Sequence, residues 1–132
     1  MLDQRFLVML NLVFQAALIA VLAGAVYLAR EKKFKQHCMV TRAAFFVQIV
    51  LIAGIMLAPM DVYLKVPIFA WEVLSHHILG LIAIALWVYI NLVFMKKIKP
   101  VLLKSGLAMR LDMAAWTLAL VLGLHIFSRL YL

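Results

Sequence analysis

Four histidines, at positions 37, 76, 77 and 125, are the side chains of this sequence best suited to chemistry. His76 and His77 are adjacent and lie inside a run, 73–95, that holds no Asp, Glu, Lys or Arg. His125 lies inside a second such run, 113–128. Ionisable groups within apolar spans are expensive and mark candidate sites. Imidazole is a common protein ligand for haem iron, copper and zinc. His76 and His77 follow Glu72 by four and five residues, and His125 precedes Arg129 by four. At the helical rise these are depths of roughly 6–8 Å, so two helices consecutive in sequence would bring imidazoles to one level.

A haem is the cofactor this arrangement suggests. His76, Gly80 and Ala83 fall at i, i+4 and i+7, a small-residue groove below the histidine against which a flat macrocycle can lie. The expected site is a haem b with His125 as one axial ligand and His76 or His77 as the other, Gly80 lining it. A metal ion or a quinone is a further possibility. Copper has residues of its own, because Met56 and Met60 are spaced i, i+4 and thioether with imidazole suits Cu(I). The competing reading gives the site no cofactor: the histidines hydrogen-bond Ser75, Asn11, Gln15 or backbone carbonyls at a damp rim. Asn11, Gln15, Gln48 and Asn91 read as interhelical hydrogen-bonding groups that fix helix register. No P-loop, nucleophile–base pair or catalytic carboxylate pair is present, which leaves enzyme status open and points away from substrate turnover.

The elements that must position these residues follow from composition. Of 132 residues, 69% are hydrophobic and only 14% charged. Soluble chains are about 45–50% apolar, so the solvent for most of this surface is lipid. Four runs lack Asp, Glu, Lys and Arg: 6–29, 43–60, 73–95 and 113–128. About 20 residues of helix cross a bilayer, and barrel strands would be shorter and alternating. The expected fold is all-α, an integral membrane four-helix up-down bundle forming a single transmembrane domain over 1–132. Its helices are expected at about 5–29, 39–59, 68–96 and 106–131. Ala16, Ala20 and Gly24, then Gly54, Gly80 and Gly123, are small residues where helices can approach closely.

Charge placement sets the expected orientation. Arg30, Lys32, Lys33, Lys35 and Arg42 lie between the first two helices, and Lys96, Lys97, Lys99, Lys104 and Arg110 between the last two. Only Arg5, Lys65 and Arg129 remain for the other side. The positive-inside rule then places both basic loops in the cytoplasm and both termini outside the cell membrane. The net charge of +8 reads as attraction to anionic lipid and not to nucleic acid, because no soluble basic face exists. The single cysteine, Cys38, cannot form an internal disulfide. The first apolar run is longer than a signal h-region and its positive charges follow it, so it reads as a span.

The run Lys32-Lys33-Phe34-Lys35-Gln36-His37 opening a helix, followed by Leu74-Ser75-His76-His77-Ile78-Leu79-Gly80, resembles the small membrane proteins of the cytochrome oxidase maturation family. That family, found in Gram-positive bacteria and archaea, has a basic loop ending in His before one helix and a Ser/Thr-His-x-Ile-Leu-Ala/Gly segment in the next. The resemblance covers roughly residues 12–131 and carries over His37 and His76 as functional positions. The chain departs from the pattern where the family has a His at the start of the last helix, here Leu107, Ala108 and Met109. It departs again at the outer end of helix two, here Leu57, Ala58 and Pro59 in place of Tyr and His. The resemblance implies a role near haem or haem-copper enzymes. His37 is expected at the cytoplasmic level, a full bilayer from His125, with a ring nitrogen available to a partner or an anionic lipid.

The functional expectation is therefore a small membrane haem-b-binding protein acting in electron transfer or in haem or oxidase assembly near the outer face. The alternatives are a non-catalytic accessory subunit of a larger respiratory or oxidase complex, and a copper-handling membrane protein. The lipid bilayer, and other membrane subunits or a second copy of the chain, are the expected partners.

Overall fold

A computed structural model of the chain describes residues 3–57, 70–99, 101 and 103–132. Four helices account for nearly all of them: α1, Gln4–Arg30; α2, Phe34–Leu51; α3, Ala70–Phe94; and α4, Ser105–Tyr131. No strand occurs among the described residues. Each helix, α2 with its extension below, is long and apolar enough to cross a membrane. The protein is all-α with four membrane-length helices, the class its apolar runs predict.

The described helices group into two compact units, one made by α1 and α2 with residues 129–132, the other by residues 67–128. In the first, the buried side chains of α1 are Gln15, Leu18, Leu22 and Ala25, spaced three and four apart. Those of α2 are His37, Ala44 and Leu51, spaced seven apart. These spacings keep one stripe of each helix facing inward, as in coiled-coil packing. At the start of α1, the Asp3 carboxylate accepts a bond of 3.2 Å from the Arg5 backbone N–H, satisfying one of the donors a helix leaves open there.

The α1–α2 turn is shorter than the charge pattern suggests. The expected start near residue 39 is late by a turn and more: Phe34, Lys35, Gln36 and His37 are already helical, and the His37 N–H bonds the Lys33 carbonyl at 3.0 Å. At its other end α2 runs into a π-helical turn, Ile52–Met56, closed by a 3.1 Å bond from Leu57 N–H to the Ile52 carbonyl. Gly54 lies inside it, where a missing side chain eases a widened turn.

In the second unit, Val73, Ala83 and Ile90 of α3 are buried, as are Ala108, Ala115, Trp116, Ala119, Ile126 and Phe127 of α4. Half of the α4 stripe is alanine, and small residues are how membrane helices approach when lipid removes the hydrophobic drive to associate. Near the turn, the Tyr89 hydroxyl donates to the Leu103 carbonyl at 2.9 Å and accepts from the Leu103 N–H at 3.1 Å. One side chain thus satisfies both backbone groups of a residue outside the helix.

The two turns begin alike. Lys32 has φ 58° and Lys96 has φ 57°, and no other non-glycine residue among those described has positive φ. At α1, Lys32 N–H bonds Ala29 O at 3.1 Å and Lys33 N–H bonds Leu28 O at 2.9 Å. At α3, Lys96 N–H bonds Val93 O and Lys97 N–H bonds Leu92 O, both at 3.0 Å. This is the Schellman cap, with lysine at the left-handed position that glycine usually takes.

Candidate histidine site on α3 and α4

His76 is held by its partner helix. Its Nδ1–H donates to the Ala119 carbonyl of α4 at 2.7 Å. A carbonyl can only accept, so this bond puts the ring proton on Nδ1 and leaves Nε2 with its lone pair free. The Ala119 carbonyl also belongs to the α4 ladder, and the residue one turn on, Gly123, leaves room for the ring to reach it. A Cβ on Gly123 would stand 3.2 Å from Cε1 and 3.5 Å from Nδ1 of His76. The other glycines, including Gly80, have open space at that position.

His77 takes the same tautomer by a local route, its Nδ1–H donating to Val73 O one turn back at 2.7 Å. The two rings meet edge to face, with centroids 5.5 Å apart and planes at 87°. Both are half-buried. Two Nε2 lone pairs thus lie on one helix, each ring oriented by a backbone carbonyl in the way that ligating histidines commonly are.

His125 does not join them. It is exposed and follows Gly123 by two residues. That turns it about 200° around α4 from the side where Gly123 meets His76. Equal depth, estimated from the sequence, is no guarantee of a shared face. The expected pairing of His125 with His76 or His77 within the α3–α4 unit is therefore not the arrangement found. Among the described residues, no group of three His, Cys, Asp or Glu side chains is placed to hold a metal ion.

The remaining candidates divide. Gly80 is half-buried and Ala83 buried on α3, one and two turns beyond His76. Met56 ends the π-helical turn and is half-buried; Met60, its expected copper partner, lies outside the described residues. His37, the fourth residue of α2, is 9% exposed and packed against α1, where a ring open to headgroups or a partner was expected. Its Nδ1–H donates to the Ala25 carbonyl of α1 at 2.7 Å, the same bond by which His76 reaches Ala119.

The amides behave in three ways. Gln15 Nε2 donates to Gln48 Oε1 at 2.6 Å, an interhelical bond between α1 and α2. Asn91 Nδ2 donates within its own helix to Trp87 O at 3.0 Å. Asn11 Oδ1 is buried without a hydrogen-bond partner among the described residues. So is one carboxylate oxygen of Asp112, the residue just before the fourth uncharged run. Asp112 is the eighth residue of α4, about 10 Å from its start.

Comparison with known proteins found no matching family model, no matching curated protein and no matching solved structure.

Proposed function

We propose that this is a small membrane protein that binds haem b and serves electron transfer, or the assembly of a haem-containing oxidase, near the outer face of the cell membrane. The observation that supports it is the His76–Ala119 bond, which orients an imidazole on a partner helix and leaves Nε2 as a ligand. The resemblance to the cytochrome oxidase maturation family points to the same residue. Within the α3–α4 unit one imidazole, that of His76, would hold the group. His125 is on another face of α4, and His77 stands edge-on beside His76 on one helix. When bound, the haem supplies reversible one-electron chemistry. The chain's own part is to hold and orient His76, keep Ala119 O as the acceptor that fixes the ring's orientation and tautomer, and leave the surface at Gly80 open to a flat ligand. The orientation proposed has both termini outside and the basic turns in the cytoplasm.

The test is an optical spectrum of the purified full chain after reconstitution with haem. A b-type reduced spectrum that survives His125→Ala and is lost in His76→Ala supports the reading. A wild-type protein that takes up no haem, or a spectrum indifferent to His76, overturns it. Metal analysis that finds copper without a porphyrin spectrum would transfer the site to copper.

A second reading, a non-catalytic accessory subunit assembling with other membrane subunits or a second copy, is favoured by one observation. The His37–Ala25 bond repeats the His76–Ala119 bond at a place with no adjacent imidazole, so such a bond can serve as a helix tie alone. Under that reading the protein purifies with partner subunits and shows no spectrum of its own.

A further inference from the structure

The sequence around the two helix ends is Lys32-Lys33-Phe34-Lys35 after α1 and Lys96-Lys97-Ile98-Lys99 after α3. Each has two lysines, one apolar residue and a third lysine, and each sets its first lysine at positive φ. A left-handed conformation strains an L side chain and leaves glycine unstrained. The helix dipole rewards a cation in the last turn, but Lys33 and Lys97 would collect that reward with glycine at 32 and 96. Two helix ends in separate compact units make the same unfavourable choice, and in both the residue kept is a cation.

The surroundings indicate what the cations meet. Arg30, Lys32, Lys33, Lys35, Lys96, Lys97 and Lys99 are all exposed. Neither run holds an acidic residue, and Glu31 just before the first is the one acidic neighbour of either. The apolar residue between the lysines is open as well, Phe34 being 60% and Ile98 40% exposed. Exposed apolar side chains set between lysines suit neither bulk water nor the hydrocarbon core. They suit the boundary, where a ring or branched chain enters the acyl region while ammonium groups reach the phosphates.

We propose that the turns at 32–35 and 96–99 are each a docking site for the headgroup of an anionic phospholipid. The lysines bind the phosphate, and Phe34 or Ile98 anchors the turn among the acyl chains. The left-handed lysine is kept because it lifts a third ammonium clear of the helix end, where the helix's own carbonyls would otherwise compete for it.

The experiment uses the full chain in neutral detergent, titrated with phosphatidylglycerol or phosphatidylcholine, the retained lipid being counted by native mass spectrometry. The wild type is expected to retain phosphatidylglycerol in preference, and Lys-to-Gln changes at 32, 33 and 35, or at 96, 97 and 99, to lower that preference at least tenfold at low salt. Each lysine near an anionic surface is worth about fivefold. Lys32→Gly with Lys96→Gly keeps the fold, as circular dichroism will report, and is expected to lower the preference as well. Equal retention of the two lipids by the wild type, or a preference unchanged in these variants, overturns the proposal. So does displacement of the lipid by inorganic phosphate, which would mark a free-anion site.

Discussion

The His76 imidazole lies against Gly123, so close that a single methyl there would stand 3.2 Å from Cε1. This approach is what lets Nδ1 reach the Ala119 carbonyl at 2.7 Å, one turn before Gly123 on α4. The ring is wedged between a missing side chain and an extra acceptor, and its position depends on both.

Gly123→Ala is therefore expected to behave unlike Gly24→Ala or Gly80→Ala. Alanine favours helix over glycine by up to about 1 kcal/mol, and at positions 24 and 80 nothing opposes the gain. At 123 the ring must retreat and lengthen its bond, which offsets the gain by about 1 kcal/mol. Unfolding measurements on the single variants and on Gly123→Ala with His76→Ala test this. The double variant should recover the benefit of alanine, and strictly additive effects would show that ring and glycine are not coupled.

Gln15→Leu or Gln48→Leu leaves one half of the amide pair without its interhelical partner. Each is expected to cost about 0.6–1.7 kcal/mol in stability, the range of such bonds in membrane bundles. Changing both to Leu should recover part of the loss, because neither amide is then left buried alone. A single variant as stable as the wild type would show that the bond adds nothing in lipid.

Lys32→Gly and Lys96→Gly should each raise the thermal midpoint, by a stabilisation of about 1 kcal/mol from relief of the left-handed lysine. Circular dichroism against temperature is the measurement. A fall in the midpoint would mean that the lysine side chains hold the caps together.

Orientation is tested with cysteines placed at 34 and 99 in a Cys38→Ser background. Both sites are exposed and follow the basic helix ends. A membrane-impermeant maleimide added to intact cells should label neither, and label both after lysis. Efficient labelling from outside would reverse the proposed topology.

The sequence by itself determined the solvent, the class and the number of helices. Apolar runs long enough to span a bilayer admit only helices, since every backbone N–H and C=O must be satisfied within the segment. It also marked His76 as a group needing an explanation, because a lone ionisable side chain in such a run is costly wherever it points. It did not determine which faces meet. Spacing along a helix gives depth directly but azimuth only relative to a known contact, and no contact is written in a uniformly apolar stretch. Thus His125 could be placed at the level of His76 and still lie about 200° from the contact face. The same limit hid the acceptors: Ala119 and Ala25 bond the histidines through backbone carbonyls that every residue carries, so residue type holds no sign of them. The left-handed Lys32 and Lys96 depended on where α1 and α3 stop. Charge counting locates that boundary only to within a turn, because a lysine is at home on either side of it. Only the packed helices decided which imidazole is held, by what, and with which nitrogen left free.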